Sequence, residues 1–215
     1  MERFLLNRKW SQMMSDFPPD QVIHNELLPL VVDRYDQVLR FEELLRTSTS
    51  WLSTPASTTY LTEPGGLVEH SVQAARTMLV FRNSLAPELS IESCVIVSLY
   101  HDVGKVGRPG QPLYISNPYF PSNPYSTPYV VDPALLYLDV PTNSLFLLSS
   151  NIPLTYEEAQ AIRYFDGQYP EQDPGFPRIL SKITRLLQCA HIWSEVTAEE
   201  LSDPTGIHEV TNRRR

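Results

Sequence analysis

At 215 residues with a formal net charge of −8, the chain fits one domain, or one domain with an extension, and lacks the basic balance of a general nucleic-acid binder. Two cysteines, Cys94 and Cys189, are too few for a disulfide framework; both lie in apolar helical stretches and read as buried thiols in a reducing compartment. No apolar run approaches the roughly 20 residues of a membrane span, and Met1-Glu2-Arg3-Phe4 opens no signal peptide, so a cytoplasmic location is expected.

The predicted elements are helical throughout, and the expected class is all-α. Residues 1–14 form a short helix with Phe4, Leu5, Trp10 and Met13 on one side, broken by Phe17-Pro18-Pro19. A second short piece over 21–28 is stopped by Pro29. Residues 30–46 follow the 3.6-residue period through Leu30, Val31, Tyr35, Val38, Leu39, Glu42 and Leu45. These segments either cover the core or serve a partner. Residues 47–64 are a Ser/Thr/Pro loop anchored by Trp51.

A helix begins at Gly66 and runs to about Leu85, with Leu67, His70, Ala74, Met78 and Phe81 on one face, so His70 points inward. Ser90 caps the next helix, and Glu92 suits its first turn. Cys94 to His101 is apolar nearly all round, which marks a central buried helix; Gly104 is placed to end it in the left-handed cap conformation. Residues 107–133 carry seven prolines, with Tyr114, Tyr119, Tyr125 and Tyr129 among them, and are expected to lack regular structure. Leaving directly after Lys105, the segment is a lid over the site, a plain surface loop, or a Pro-rich partner ligand. Residues 134–138 and 142–150 are short helical candidates. Thr155-Tyr156-Glu157-Glu158 is a capping box that opens a helix to Phe165, and Asp166-Gly167 turns the chain. Pro177 starts the last long helix, Arg178 to about Val196, with His191 at the margin of its inward stripe.

The chemistry concentrates in Gly65-Gly66-Leu67-Val68-Glu69-His70 and Leu99-Tyr100-His101-Asp102-Val103-Gly104-Lys105. Two imidazoles and a carboxylate are ligand types that divalent transition metals prefer. Lys105 sits where a cation could face a bound anion. The competing structural account is a pair of satisfied core histidines beside a capping aspartate.

The order His70, His101-Asp102, Gly104-Lys105 resembles the HD-domain superfamily of metal-dependent phosphohydrolases. With Pro55-Ala56-Ser57 and Gly65-Gly66-Leu67 it resembles the branch of bacterial and phage HD hydrolases and TraI-type HD modules. The resemblance covers roughly residues 50–196. It implies an HD domain over 47–203; the residues on either side read as an N-terminal helical extension over 1–46 packed on the core and a flexible tail over 204–215. The family's last ligand is an aspartate; here Ala190-His191-Ile192-Trp193 puts His191 in its place. Related members also carry a histidine where Phe165 stands, and a Gly-His where Thr142-Asn143 stands.

The implied ligand set is His70, His101, Asp102 and His191, which suits one ion of Mn, Zn, Ni, Fe or Co. Asp102 and Lys105 are the implied catalytic residues, with Glu69 a weaker carboxylate for positioning water. Lys105 and Arg163 are the candidate substrate-binding cations, for a nucleotide or another small phosphate ester. The alternative is a scaffold that has lost turnover and serves as a nucleotide-binding or protein-interaction module. Neither reading involves a membrane, nucleic acid is not the expected partner, and homo-oligomerisation stays open.

Overall fold

The computed structural model describes residues 18–123, 126–167 and 179–195. The expected helix over 1–14, the Pro177–Arg178 start of the last helix, its Val196 end, Tyr125 and the 204–215 tail lie outside these residues. The described fold is all-α, with one small hairpin.

The chain enters at α1 (Pro19–Val22) and continues through a π turn (Ile23–Leu27) and a 3₁₀ turn (Leu28–Leu30). Pro29 does not stop the helical path. It occupies the first positions of the 3₁₀ turn, where its missing N–H leaves no bond unmade.

Helix α2 is Tyr35–Ser48 and does not begin at Leu30 as expected. The cause lies far away in sequence. The Glu92 carboxylate accepts the backbone N–H groups of Val32 and Asp33, each at 2.7 Å, and of Arg34 at 3.4 Å. Arg34 then bonds Glu92 at 2.5 Å, Glu158 at 2.7 and 2.9 Å, and the Pro153 carbonyl at 2.8 Å. These bonds satisfy amides that would otherwise be orphaned at a helix start. The buried face of α2 also differs from the expected stripe: Phe41 joins Val38, Glu42 and Leu45 inside, while Tyr35 and Leu39 are exposed.

Helices α3 (Gly66–Leu85) and α4 (Ile91–Tyr100) pack side by side, as their two apolar faces require. Residues Cys94 to Tyr100 are all fully buried, so α4 is the central helix. Ser90 Oγ accepts the Ser93 N–H at its start. Helix α5 (Val140–Ser149) is capped by Asp139 and packs on a 3₁₀ turn, Val103–Val106. Helix α6 (Tyr156–Arg163) starts at the complete capping box of Thr155 and Glu158. It lies against α7 (Lys182–Ser194), which also packs on α3 and α4. Ser181 caps α7, so the helix begins after the exposed, non-helical Ile179. Trp51 is fully buried, which bears out its role as the loop's anchor.

Three further expectations are corrected. The 107–133 segment contains an antiparallel hairpin, β1 (Tyr114–Ser116) with β2 (Tyr129–Val131), Ile115 opposite Val130. Its prolines flank the strands and never enter them, so no ladder donor is lost. Residues 134–138 form no helix and leave Leu136, Tyr137 and Leu138 exposed. Cys94 is buried but Cys189 is exposed, because two residues after the inward Leu187 the helix presents its outer side. Among the described residues no helix is long and apolar enough to cross a membrane.

Candidate metal centre

His70 stands in the second turn of α3 and His191 near the end of α7. His101 and Asp102 are adjacent, and mid-helix they would diverge. The backbone resolves this: α4 ends at Tyr100, His101 keeps helical angles (φ −54°, ψ −36°), and Asp102 moves to φ −102°, ψ 5°. Both side chains then turn to one point.

Gly104 is not the left-handed cap; Gly107, with φ 77°, takes the positive angle. Gly104 is required for closeness. A Cβ there would stand 2.2 Å from the Val140 carbonyl oxygen. Its N–H donates to Ser144 Oγ at 2.8 Å. Asn143 Nδ2 donates to the Gly104 carbonyl at 2.8 Å and the Gly107 carbonyl at 2.7 Å. Helix α5 thus grips the turn that carries Asp102 and Lys105.

His70, His101, Asp102 and His191 come together with one potential ligand atom each, all within 4.8 Å of one another, and all four are buried. Asp102 Oδ2 lies 3.6 Å from His70 Nε2 and 3.8 Å from His101 Nε2. His101 Nε2 lies 3.2 Å from His191 Nδ1. Lys105 Nζ donates to Asp102 Oδ2 at 2.5 Å. Phe165 closes one side, its ring 4.7 Å from that of His101 and 4.9 Å from that of His191.

Burial pushes all three imidazoles below their usual value, His70 well below and His191 to about 4, so each is a neutral ligand at neutral pH. Burial alone would raise the Asp102 carboxyl, but the Lys105 ammonium beside it holds it well below the usual carboxylate range. Burial would likewise lower Lys105, and Asp102 outweighs it, keeping the amine charged.

The residues fit a metal ion. Two ligand atoms about 2.0–2.2 Å from one tetrahedral ion stand roughly 3.3–3.6 Å apart, close to the 3.2, 3.6 and 3.8 Å separations found. His70 Nε2 and Asp102 Oδ1 are buried without a hydrogen-bond partner. Such atoms are costly unless something fills the gap. Three neutral imidazoles and one carboxylate would leave a divalent ion with net positive charge, which suits binding an anion.

The remaining candidates fall elsewhere. Arg163 is not brought into the group: its guanidinium lies 5.2 Å over the Tyr164 ring, and its charge acts on Asp139. Glu69 is half-buried on α3 and accepts from Gln73 Nε2 at 3.1 Å. Tyr114 on β1 is near enough to Lys105 and Asp102 for their charges to act on its phenol, so the hairpin stands beside the centre. Sequence reasoning missed the outer partners, Ser98, Ser194 and Tyr60. His101 Nδ1 donates to the Ser98 carbonyl at 2.7 Å, and Tyr60 OH donates to the Ser194 carbonyl at 2.9 Å. None of the three carried a signal: Ser98 acts through its carbonyl, which any residue there would offer, and Ser194 and Tyr60 meet their partners across the fold.

Comparison of the chain with protein-family models, with curated proteins and with solved structures finds no match.

Proposed function

We propose that the chain is a metal-dependent phosphohydrolase of HD-domain type, acting on a nucleotide or another phosphate ester. The observation that carries this reading is the buried convergence of His70, His101, Asp102 and His191 with a cation, Lys105, on its edge. A divalent ion held there would polarise a phosphoryl oxygen and acidify a water.

The chain's own residues supply the rest. Asp102 stays ionised because Lys105 sits on it, so it offers an anionic oxygen at neutral pH. Lys105 keeps its charge while partly reaching solvent, which lets its ammonium offset phosphate charge at the edge of the site. Phe165 keeps water from one side of the two imidazoles. Tyr114, near enough to Lys105 and Asp102 for their charges to act on its phenol, would offer an aromatic ring for a base to stack on.

A second reading is a scaffold without turnover, a nucleotide-binding or protein-interaction module. It is favoured by how little of the four ligands reaches solvent: 1 % of His70, none of His101 or Asp102, and 7 % of His191. The test is metal analysis of protein purified without chelator, reloading with Mn, Zn, Ni, Fe and Co, and a hydrolysis screen over nucleotides and simple phosphate esters. Turnover that needs metal and is lost in Asp102→Asn is expected. Bound metal without turnover on any ester selects the module. Protein that stays metal-free after supplementation removes the hydrolase.

A further inference from the structure

We propose that His70 and His101 bind a metal through Nε2 and His191 binds through Nδ1, an assignment set by the Ser98 carbonyl on α4 and by the last turn of α7, with Ser194 and Glu195 as positioning residues. The inference rests on the metal-centre reading above and deepens it.

Each imidazole has two nitrogens, and the partner of the outer one decides which faces the ion. His101 is the clearest. Its Nδ1 donates to the Ser98 carbonyl at 2.7 Å, one turn back on α4, so Nε2 is the lone-pair nitrogen and points at the centre. His70 follows the same pattern through Ser194. The Ser194 hydroxyl donates to the His191 carbonyl at 2.7 Å, so toward His70 Nδ1, 3.5 Å away, it is an acceptor. That leaves His70 Nε2, the buried atom without a hydrogen-bond partner, aimed at Asp102 Oδ2.

His191 is reversed. Its Nδ1 is the atom 3.2 Å from His101 Nε2, on the inner side. Its Nε2 faces outward, 3.9 Å from Glu195 Oε1. With His101 Nε2 the acceptor, His191 Nδ1 donates in this contact, and a cation bound by both nitrogens would take the place of that proton. A carboxylate on the outer nitrogen raises the basicity of the inner one. At 3.9 Å Glu195 is not hydrogen-bonded to the ring; closing that gap on a metal-loaded His191 would lend negative charge to a ligand set with only one anionic member.

Ser194 is the junction of the arrangement. One buried hydroxyl ties the His70 ring on α3 to the backbone of His191 on α7, and the Ser194 carbonyl accepts from Tyr60 OH at 2.9 Å, which pins the turn. Helices α3 and α7 are thus tied by a side chain that leaves the inner nitrogens of both histidines clear.

The test uses the full chain. Zn(II) affinity is measured by competition with a chromophoric chelator, and the histidine ring nitrogens of the Zn-loaded protein are assigned by long-range ¹⁵N–¹H correlation. The wild type should show Nε2 coordination at two histidines and Nδ1 coordination at His191. Ser194→Ala and Glu195→Ala should each weaken Zn(II) binding roughly 10–100-fold, while Ser194→Thr and Glu195→Gln, which keep an acceptor, lose less than either alanine. Circular dichroism separates weakened binding from misfolding; if Ser194→Ala does not fold, the Glu195 pair and the wild-type ring assignment decide. Zn(II) bound through three Nε2 atoms, or with unchanged affinity in both alanine variants, overturns the inference and leaves the metal centre standing. A wild type that binds no Zn(II) overturns both.

Discussion

Gly104→Ala tests whether the turn carrying Asp102 and Lys105 is held by contact with α5. The added Cβ would lie 2.2 Å from the Val140 carbonyl oxygen, 2.8 Å from the Ser144 nitrogen and 2.9 Å from Ser144 Oγ. All three belong to α5, and two are backbone atoms that no rotamer change can move. The helix must therefore retreat by about 1 Å to restore van der Waals contact. Overpacking of this kind costs roughly 1–3 kcal/mol. The retreat also takes Ser144 Oγ away from the Gly104 N–H, now bonded at 2.8 Å, and a buried donor left unpaired costs about 1–3 kcal/mol more. A loss near 3–4 kcal/mol lowers the Tm by roughly 10 °C in a protein of this size. Thermal and urea unfolding measure it, with Gly110→Ala as control. A Cβ at Gly110 would meet nothing within 4 Å, but the residue sits at φ +77°. Its variant should show only the left-handed penalty of about 1–2 kcal/mol. If Gly104→Ala is no more destabilised than Gly110→Ala, the close-packing account of the turn is wrong.

Acid stability should depend on Arg34. Burial alone would raise the Glu92 and Glu158 carboxyls, but their bonds, led by Arg34, hold both below the ordinary glutamate value of 4.5. The unfolded chain then protonates first as pH falls, so stability is complete above about pH 5 and declines as pH drops through 4.5 and below. Arg34→Met should cost roughly 3 kcal/mol near neutral pH, because two poorly solvated carboxylates lose their partner, and should flatten the decline; equal slopes of the urea midpoint between pH 4 and 7 in both proteins would count against it. Lys105→Gln should raise metal affinity about tenfold, since Asp102 no longer shares its charge with an ammonium, and weaken inorganic phosphate binding by a similar factor. Calorimetric titration with Zn(II) and then phosphate reads both, and a fall in metal affinity would contradict the proposed division of roles.

Much of the local structure was legible from residues alone. Gly66–Leu85 and the capping box at Thr155–Glu158 follow from short-range periodicity and side chain to backbone bonds, which neighbours in sequence determine. The four potential ligands were legible as residue types, since imidazole and carboxylate are the groups that divalent transition metals prefer. What the sequence could not contain was every feature set by a partner distant along the chain. Glu92 delays α2 to Tyr35 by binding the amides of residues 32–34, and Phe41 replaces Leu39 inside because α2 rotates to meet its neighbours. The strands at 114–116 and 129–131 exist only because they pair with each other. Gly104 reads as a cap until Val140 and Ser144 arrive beside it. The centre itself is of this second kind. His70, His101-Asp102 and His191 are three separate helical signals, and only the packing of α3, α4 and α7 makes them one site, because a helix's period states which face is inward but not what stands opposite it.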